Sequence, residues 1–198
     1  EASRKKLGIP DGTFFLLAMG GSLGSRTINE SVLSLAERIG GKEVKIVLSA
    51  GKQQYASLCA NPTANDKIDI REYIYDQEIY MSAADLLIVR AGAITCAEVA
   101  ALGAPSVMIP YPFAAGDHQT YNARAFEKEG ACILLKDSDV TPELLFELVT
   151  DLKKDRTRLC GMGTKAAGLS RPDAVRDIVK QVFALAANDN TGKGRPAI

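Results

Sequence analysis

One histidine, His118, serves the whole chain of 198 residues, and none of the four cysteines forms a CxxC pair. A zinc site built from Cys and His is therefore not expected. Cys59, Cys96, Cys132 and Cys160 lie far apart, three of them inside apolar or helical stretches, and read as small buried thiols in a reducing cytosol. Charge of one sign is also missing. Lys and Arg number 24 against 24 Asp and Glu, so no global field draws the chain to nucleic acid or anionic lipid. No apolar run approaches the roughly 18 residues of a membrane span; the best candidate, APSVMIPYPFAA, is broken by three prolines. No signal peptide is visible, so a cytosolic location is expected. The first residue is Glu1, within the charged helical stretch EASRKK, as a piece of a longer protein would show.

What is present is an ordinary globular composition, 46% hydrophobic and 24% charged, at a length that suits one domain. Apolar β-rich runs alternate with helical patterns. TFFLLAM (13–19), VKIVLSAG (44–51), KIDIREYI (67–74), DLLIVRAG (85–92) and ACILLK (131–136) read as strands, and PSVMIPYP (105–112) as strand and loop. Helices are predicted over 27–40, 52–60, about 76–84, 94–103 and 118–130, then at about 141–153, 155–167 and 171–187. Continuous apolar strands separated by amphipathic helices predict an α/β, Rossmann-like, doubly wound parallel sheet covered on both faces. One domain over 1–187 is expected, and the polar tail 188–198 is expected to be disordered. In such a sheet ligands bind beyond the carboxyl ends of the strands. Three unusual loops follow strands 1, 4 and 5.

The first loop is MGGSLGSRTIN (19–29). Its glycines let the backbone turn tightly, and the amides of Ser22 to Ser25 would face outward at a helix start, an anion site; the alternative is a glycine turn used only for packing. It is not GxGxxG, strand 2 ends without an acid to hold a ribose, and no P-loop occurs. In the second, VRAGAITCAEVAALGAP (89–105), Gly92 permits close approach and Ala93, Ile94 and Thr95 offer amides at a helix start. Glu98 suits a ribose diol equally with closing a capping box on Thr95. In the third, PYPFAAGDHQTYNA (110–123), Asp117 can cap the following helix, and His118 and Gln119 project toward the same cleft; a plain capped surface helix is the alternative. Asp137-Ser138-Asp139 mimics a metal-binding DxD but sits before Thr141-Pro142, a usual helix start.

Taken together, GGSLGSRTIN, YIYD, RAGAITCAEVAALGAPSVMIPYP and GDHQTYNARAFEKEGA, in that order, resemble the C-terminal domain of the MurG family. These are peptidoglycan N-acetylglucosaminyltransferases of the two-domain GT-B fold. The similarity runs from about Leu7, where the family's second domain starts, to about Val182. Leu23 and Ser25 stand where relatives often carry Gln and Ala, in a loop used through its backbone. The resemblance implies that Gly21 and Ser22 meet the nucleotide and diphosphate of UDP-GlcNAc. It implies that the Ile74 backbone reads uracil and that Gly92, Ala93, Ile94 and Thr95 lie by the diphosphate. Glu98 would hold the ribose hydroxyls, with His118 and Gln119 facing the sugar. No metal or other cofactor is implied, and no nucleic-acid partner. His118 is expected to be a contact and not a base, since the family's base belongs to the N-terminal acceptor domain that this chain lacks. That domain would also take lipid I, at the cytoplasmic face of the bacterial inner membrane, to form lipid II. Rival readings are the donor subunit of another GT-B transferase, glycolipid-directed or two-chain, and a non-catalytic UDP-sugar-binding module. A UDP-GlcNAc epimerase shares the architecture, but the acids its chemistry needs are not found.

Overall fold

A computed structural model describes residues 1–39, 41–60 and 67–189. Six parallel strands form one sheet: β1 (Phe14–Met19), β2 (Val44–Ser49), β3 (Asp69–Arg71), β4 (Leu86–Val89), β5 (Ser106–Met108) and β6 (Cys132–Leu134). Their order is β3-β2-β1-β4-β5-β6. The chain thus winds outward from β1 to one edge, returns to β4 beside β1, and winds to the other edge. The order reverses between β1 and β4, where the crevice of a doubly wound sheet opens.

Strand periodicity divides the core in two. From β1, Phe15, Leu17 and Met19 point to one face, where they meet Tyr80 and Met81 of α4 (Gln77–Ala83), Cys96 and Val99 of α5 (Ala93–Leu102), and Ala123 and Phe126 of α6 (His118–Lys128). Phe14, Leu16 and Ala18 point to the other. There they meet Ile28, Val32 and Leu35 of α2 (Arg26–Ile39), with Leu145, Val149 and Leu152 of α7 (Pro142–Lys154) and Leu159 and Met162 of α8 (Arg156–Gly168). Every residue of β1 and β4 is buried, which is why both read as unbroken apolar runs.

At the amino ends of the strands a charged knot ties the periphery to the sheet. Asp85, just before β4, accepts from the amide of Phe15 at 2.7 Å and pairs with Arg4 at 3.0 Å and Arg156 at 2.6 Å. Arg4, in α1 (Ala2–Lys6), also donates to the carbonyls of Thr13 and Ala83.

Three expectations need correction. The third strand is three residues long, not eight; the chain leaves the sheet after Arg71. Two cysteines, Cys59 in α3 (Tyr55–Cys59) and Cys160 in α8, are exposed because they fall on outward helix faces. Burial pushes the thiols of the other two up, to about 11 for Cys96 and about 12 for Cys132. The last helix, α9 (Ala174–Asp189), passes the expected boundary at 187, while 190–198 of the polar tail lie outside the described residues. From Arg171 to Ala186 every residue is exposed, including Val175, Ile178, Val179, Val182 and Phe183. No helix among the described residues is long and apolar enough to cross a membrane.

Candidate functional site

The loops that follow β1, β4 and β5 meet at the carboxyl edge of the sheet. In the first, Gly24 and Gly51 are pressed together: a Cβ on Gly24 would run into the carbonyl of Ala50, and one on Gly51 into the amide of Gly24. Both have positive φ, +87° and +81°, so the close approach and the backbone conformation both require glycine. Packing therefore explains Gly24. It does not explain Gly21, whose missing Cβ would face open space. The amides of Ser22, Leu23 and Ser25 donate to no backbone acceptor among the described residues. The expectation that Ser22 to Ser25 all face outward fails at Gly24, whose amide closes a turn onto the carbonyl of Gly21 at 3.0 Å.

The second loop begins α5 at Ala93, with Gly92 as its N-cap and no capping side chain. The capping-box alternative for Glu98 is thereby overturned. Thr95 is already inside the helix, because Gly92 leaves β4 with an extended ψ of 151° and takes the cap position itself. The first intrahelical bond runs from Cys96 to the carbonyl of Gly92, leaving the amides of Ala93, Ile94 and Thr95 without backbone partners among the described residues. Gly92 has no protein atom within 4 Å of an added Cβ, so its close approach is toward open space. The half-buried Glu98 enters no hydrogen bond or ion pair among the described residues. Its carboxyl pKa is raised, first by desolvation and then by the Glu78 carboxylate across from it on α4. Glu78 follows YIYD, so that segment and Glu98 are neighbours. The Ile74 side chain is buried, and its amide and carbonyl form no hydrogen bond within the described residues.

The third loop turns through two successive left-handed residues, Gly116 (φ 58°) and Asp117 (φ 53°). Asp117 occupies the N-cap of α6, but, against expectation, its side chain caps nothing. A capping residue ordinarily has extended backbone, and the left-handed conformation of Asp117 departs from it. His118 Nδ1 lies 2.8 Å from the carbonyl of Ala115, an N–H donating to that oxygen, which leaves Nε2 as an exposed acceptor. Gln119 turns its Oε1 back to accept from the amide of Tyr111 at 3.0 Å, so its NH₂ group and one lone pair of Oε1 remain for a ligand. Asn122 donates to the carbonyl of Ala91 at 3.0 Å and ties α6 to the second loop.

All ten expected site residues thus lie at the carboxyl edge, around the β1–β4 crevice. Exposed apolar side chains surround them: Leu23, Tyr75, Ile94, Phe113 and Tyr121. A cavity of about 530 Å³ lined by Lys42, Lys45 and Lys67 lies instead at the amino ends of β2 and β3, away from these loops. Sequence reasoning missed Arg90 and Asn122. Arg90 did carry a signal, a lone charge ending the run LLIV. The two carboxylates of the DxD-like run are engaged by protein groups in this arrangement. Asp137 lies 2.6 Å from Arg90 and accepts from the Thr27 hydroxyl at 2.9 Å, while Asp139 accepts from Ser138. Among the described residues no group of three or more His, Cys, Asp or Glu could hold a metal ion.

Residues 15–181 match the glycosyltransferase family 28 C-terminal domain. The chain belongs to that family. This family 28 domain is 35% identical over 195 residues to a protein of Acetivibrio thermocellus, covering 97% of the chain and 53% of that protein. The relative is named UDP-N-acetylglucosamine--N-acetylmuramyl-(pentapeptide) pyrophosphoryl-undecaprenol N-acetylglucosamine transferase. The crystal structure of Acinetobacter baumannii MurG superposes with a TM-score of 0.77 at 35% identity, over 88% of this chain and 53% of that one. A UDP-N-acetylglucosamine 2-epimerase structure from Listeria monocytogenes, 14% identical with a TM-score of 0.62, shares the fold alone. The family 28 domain spans about half the length of the relatives it matches. Its fold is that of one half of a GT-B glycosyltransferase.

Proposed function

We propose that this domain holds the donor in the transfer of N-acetylglucosamine from UDP-GlcNAc to the 4-hydroxyl of the muramyl unit of lipid I. The observation that carries the reading is the convergence, at one sheet edge, of two sets of amides with a carboxylate, none of which has a partner among the described residues. The amides are those of Ser22 and Leu23 after β1 and of Ala93, Ile94 and Thr95 after β4; the carboxylate is Glu98. Amides at a helix start suit a diphosphate, and a carboxylate suits a ribose diol. The free Ile74 backbone then takes the uracil edge, and His118 and the NH₂ of Gln119 face the sugar. The match to transferases that carry this activity in their names supports the choice of donor and acceptor.

In this inverting displacement the acceptor oxygen bonds to the anomeric carbon as the bond from that carbon to UDP breaks. UDP leaves with the electron pair. The acceptor proton passes to a base in the other half of the protein, which also binds the lipid acceptor at the cytoplasmic face of the membrane. This domain contributes the leaving group's stabilisation. Each well-placed donor at developing negative charge is worth about 3 kcal/mol, by analogy with oxyanion sites. The diphosphate is held by amides, with no metal in the proposal.

Calorimetric titration of this chain with UDP-GlcNAc, UDP-glucose, UDP and ADP tests the reading. UDP-GlcNAc should bind most tightly, UDP less so, and ADP not measurably. Equal affinity for ADP and UDP would overturn the uracil and ribose assignments.

A further inference from the structure

Arg90 follows β4 directly, and its side chain is only 12% exposed. Its Nη1 donates to the carbonyls of Ile109 at 3.0 Å and Pro110 at 2.9 Å, and its Nη2 to the Ser25 hydroxyl at 2.6 Å. With both Nη1 hydrogens committed to carbonyls, Asp137 Oδ1 sits beside that nitrogen at 2.6 Å as a counter-charge. The guanidinium also lies 5.7 Å from the Tyr111 ring centroid. One largely enclosed cation therefore touches the exits of β1, β4, β5 and β6.

A planar guanidinium with donors in a fixed fork sets the angle between the segments it joins as well as their spacing. If tight packing were the only requirement, apolar side chains of similar volume would often serve as well as a buried ion pair. The contacts extend in two directions. Ser25, besides accepting from Arg90, accepts from the amide of Ile28 and so starts α2 next to the Gly21–Ser22 turn. Pro110 is followed by Tyr111, whose amide holds Gln119. The diphosphate loop and the sugar-facing loop thus meet through one side chain.

We infer that Arg90 is a positioning residue that sets the sugar-facing loop against the diphosphate loop, so that preference for the sugar-bearing donor over bare UDP depends on it. The inference rests on the donor reading above. The test compares affinities for UDP-GlcNAc and UDP in wild type, Arg90→Lys, Asp137→Asn and Arg4→Lys, each measured well below its melting temperature. Lysine keeps the charge and loses the fork. Arg90→Lys should bind UDP-GlcNAc about tenfold more weakly, the scale of losing charge-assisted hydrogen bonds, while UDP affinity changes much less. Asp137→Asn, which cuts the same knot from its acidic side, should lower the preference in the same direction and stands in if Arg90→Lys does not fold. Arg4→Lys, at the opposite edge of the sheet, should lower the melting temperature and leave both affinities unchanged. A wild type that binds neither ligand overturns the donor reading and this inference with it. A wild type that binds both, with Arg90→Lys and Asp137→Asn keeping its preference or losing both affinities equally, overturns this inference alone.

Discussion

Desolvation and the facing Glu78 carboxylate both raise the Glu98 carboxyl pKa, so the ionised side chain is held at some cost to the fold. A carboxyl group raised in this way favours the folded state fully below its unfolded pKa, about 4.3. That contribution is lost as pH rises through the higher folded value. Glu98→Gln should therefore melt at a higher temperature than wild type at pH 7.5, with the gap closing toward pH 4. The same variant should bind UDP about tenfold more weakly, because a charge-assisted acceptor for the ribose is gone. Binding should respond to pH as well. The diol prefers the carboxylate, so wild-type affinity should fall toward acid pH more steeply than that of Glu98→Gln, whose slope reports only the ligand's own phosphate. A variant less stable than wild type at neutral pH, with unchanged UDP affinity, would make Glu98 a structural residue.

Among the elements, the firmest constraint is the contact between the loop after β1 and the end of β2. Gly51→Ala places a methyl group against the amide of Gly24 in a backbone conformation that L residues avoid. Urea denaturation should show a loss of about 2 kcal/mol or more, since backbone cannot move aside as a side chain can. A loss below about 0.5 kcal/mol would mean that the loop is free to shift. This contact also marks where sequence reading stopped. Strands such as FFLLAM were legible because burial on both faces leaves no polar position to confuse the pattern. The run from 67 to 74 was overread as strand because its apolar and polar residues alternate beyond the three that pair with β2. The Thr95–Glu98 spacing imitated a capping box, and only the extended exit of Gly92 from β4 shows that the helix had already begun. Glu98 and the amides before it could be picked out as candidates from local spacing. Arg90 could not be assigned a role, because Ser25, Ile109, Pro110 and Asp137 are distant in sequence and meet it only through the order of the strands.

On the scale of the whole molecule, α9 contributes little to the core. Its apolar positions recur at helical spacing, yet all of them from Val175 to Leu185 are exposed. Removing the chain beyond Asp173 should change the melting temperature by less than about 2 °C, because the apolar side chains from Val175 to Leu185 are all exposed and little covered apolar area is lost. Self-association at high concentration should fall, since the deleted face is a contiguous apolar patch. Differential scanning calorimetry and light scattering read the two effects; a drop of more than about 5 °C would mean that α9 supports the sheet. The sequence showed a helix over about 171–187 but not that its apolar side chains stand exposed among the described residues, because periodicity reports a face without reporting what it meets.

The two charged knots stand at opposite ends of the same central strands, Arg4 with Asp85 where β4 begins and Arg90 with Asp137 where it ends. Neither shares a residue with the other. Substitutions at the amino-end knot therefore leave every contact of the carboxyl-end knot in place, so the strand ends that face the candidate site can keep their spacing while the opposite ends are reworked.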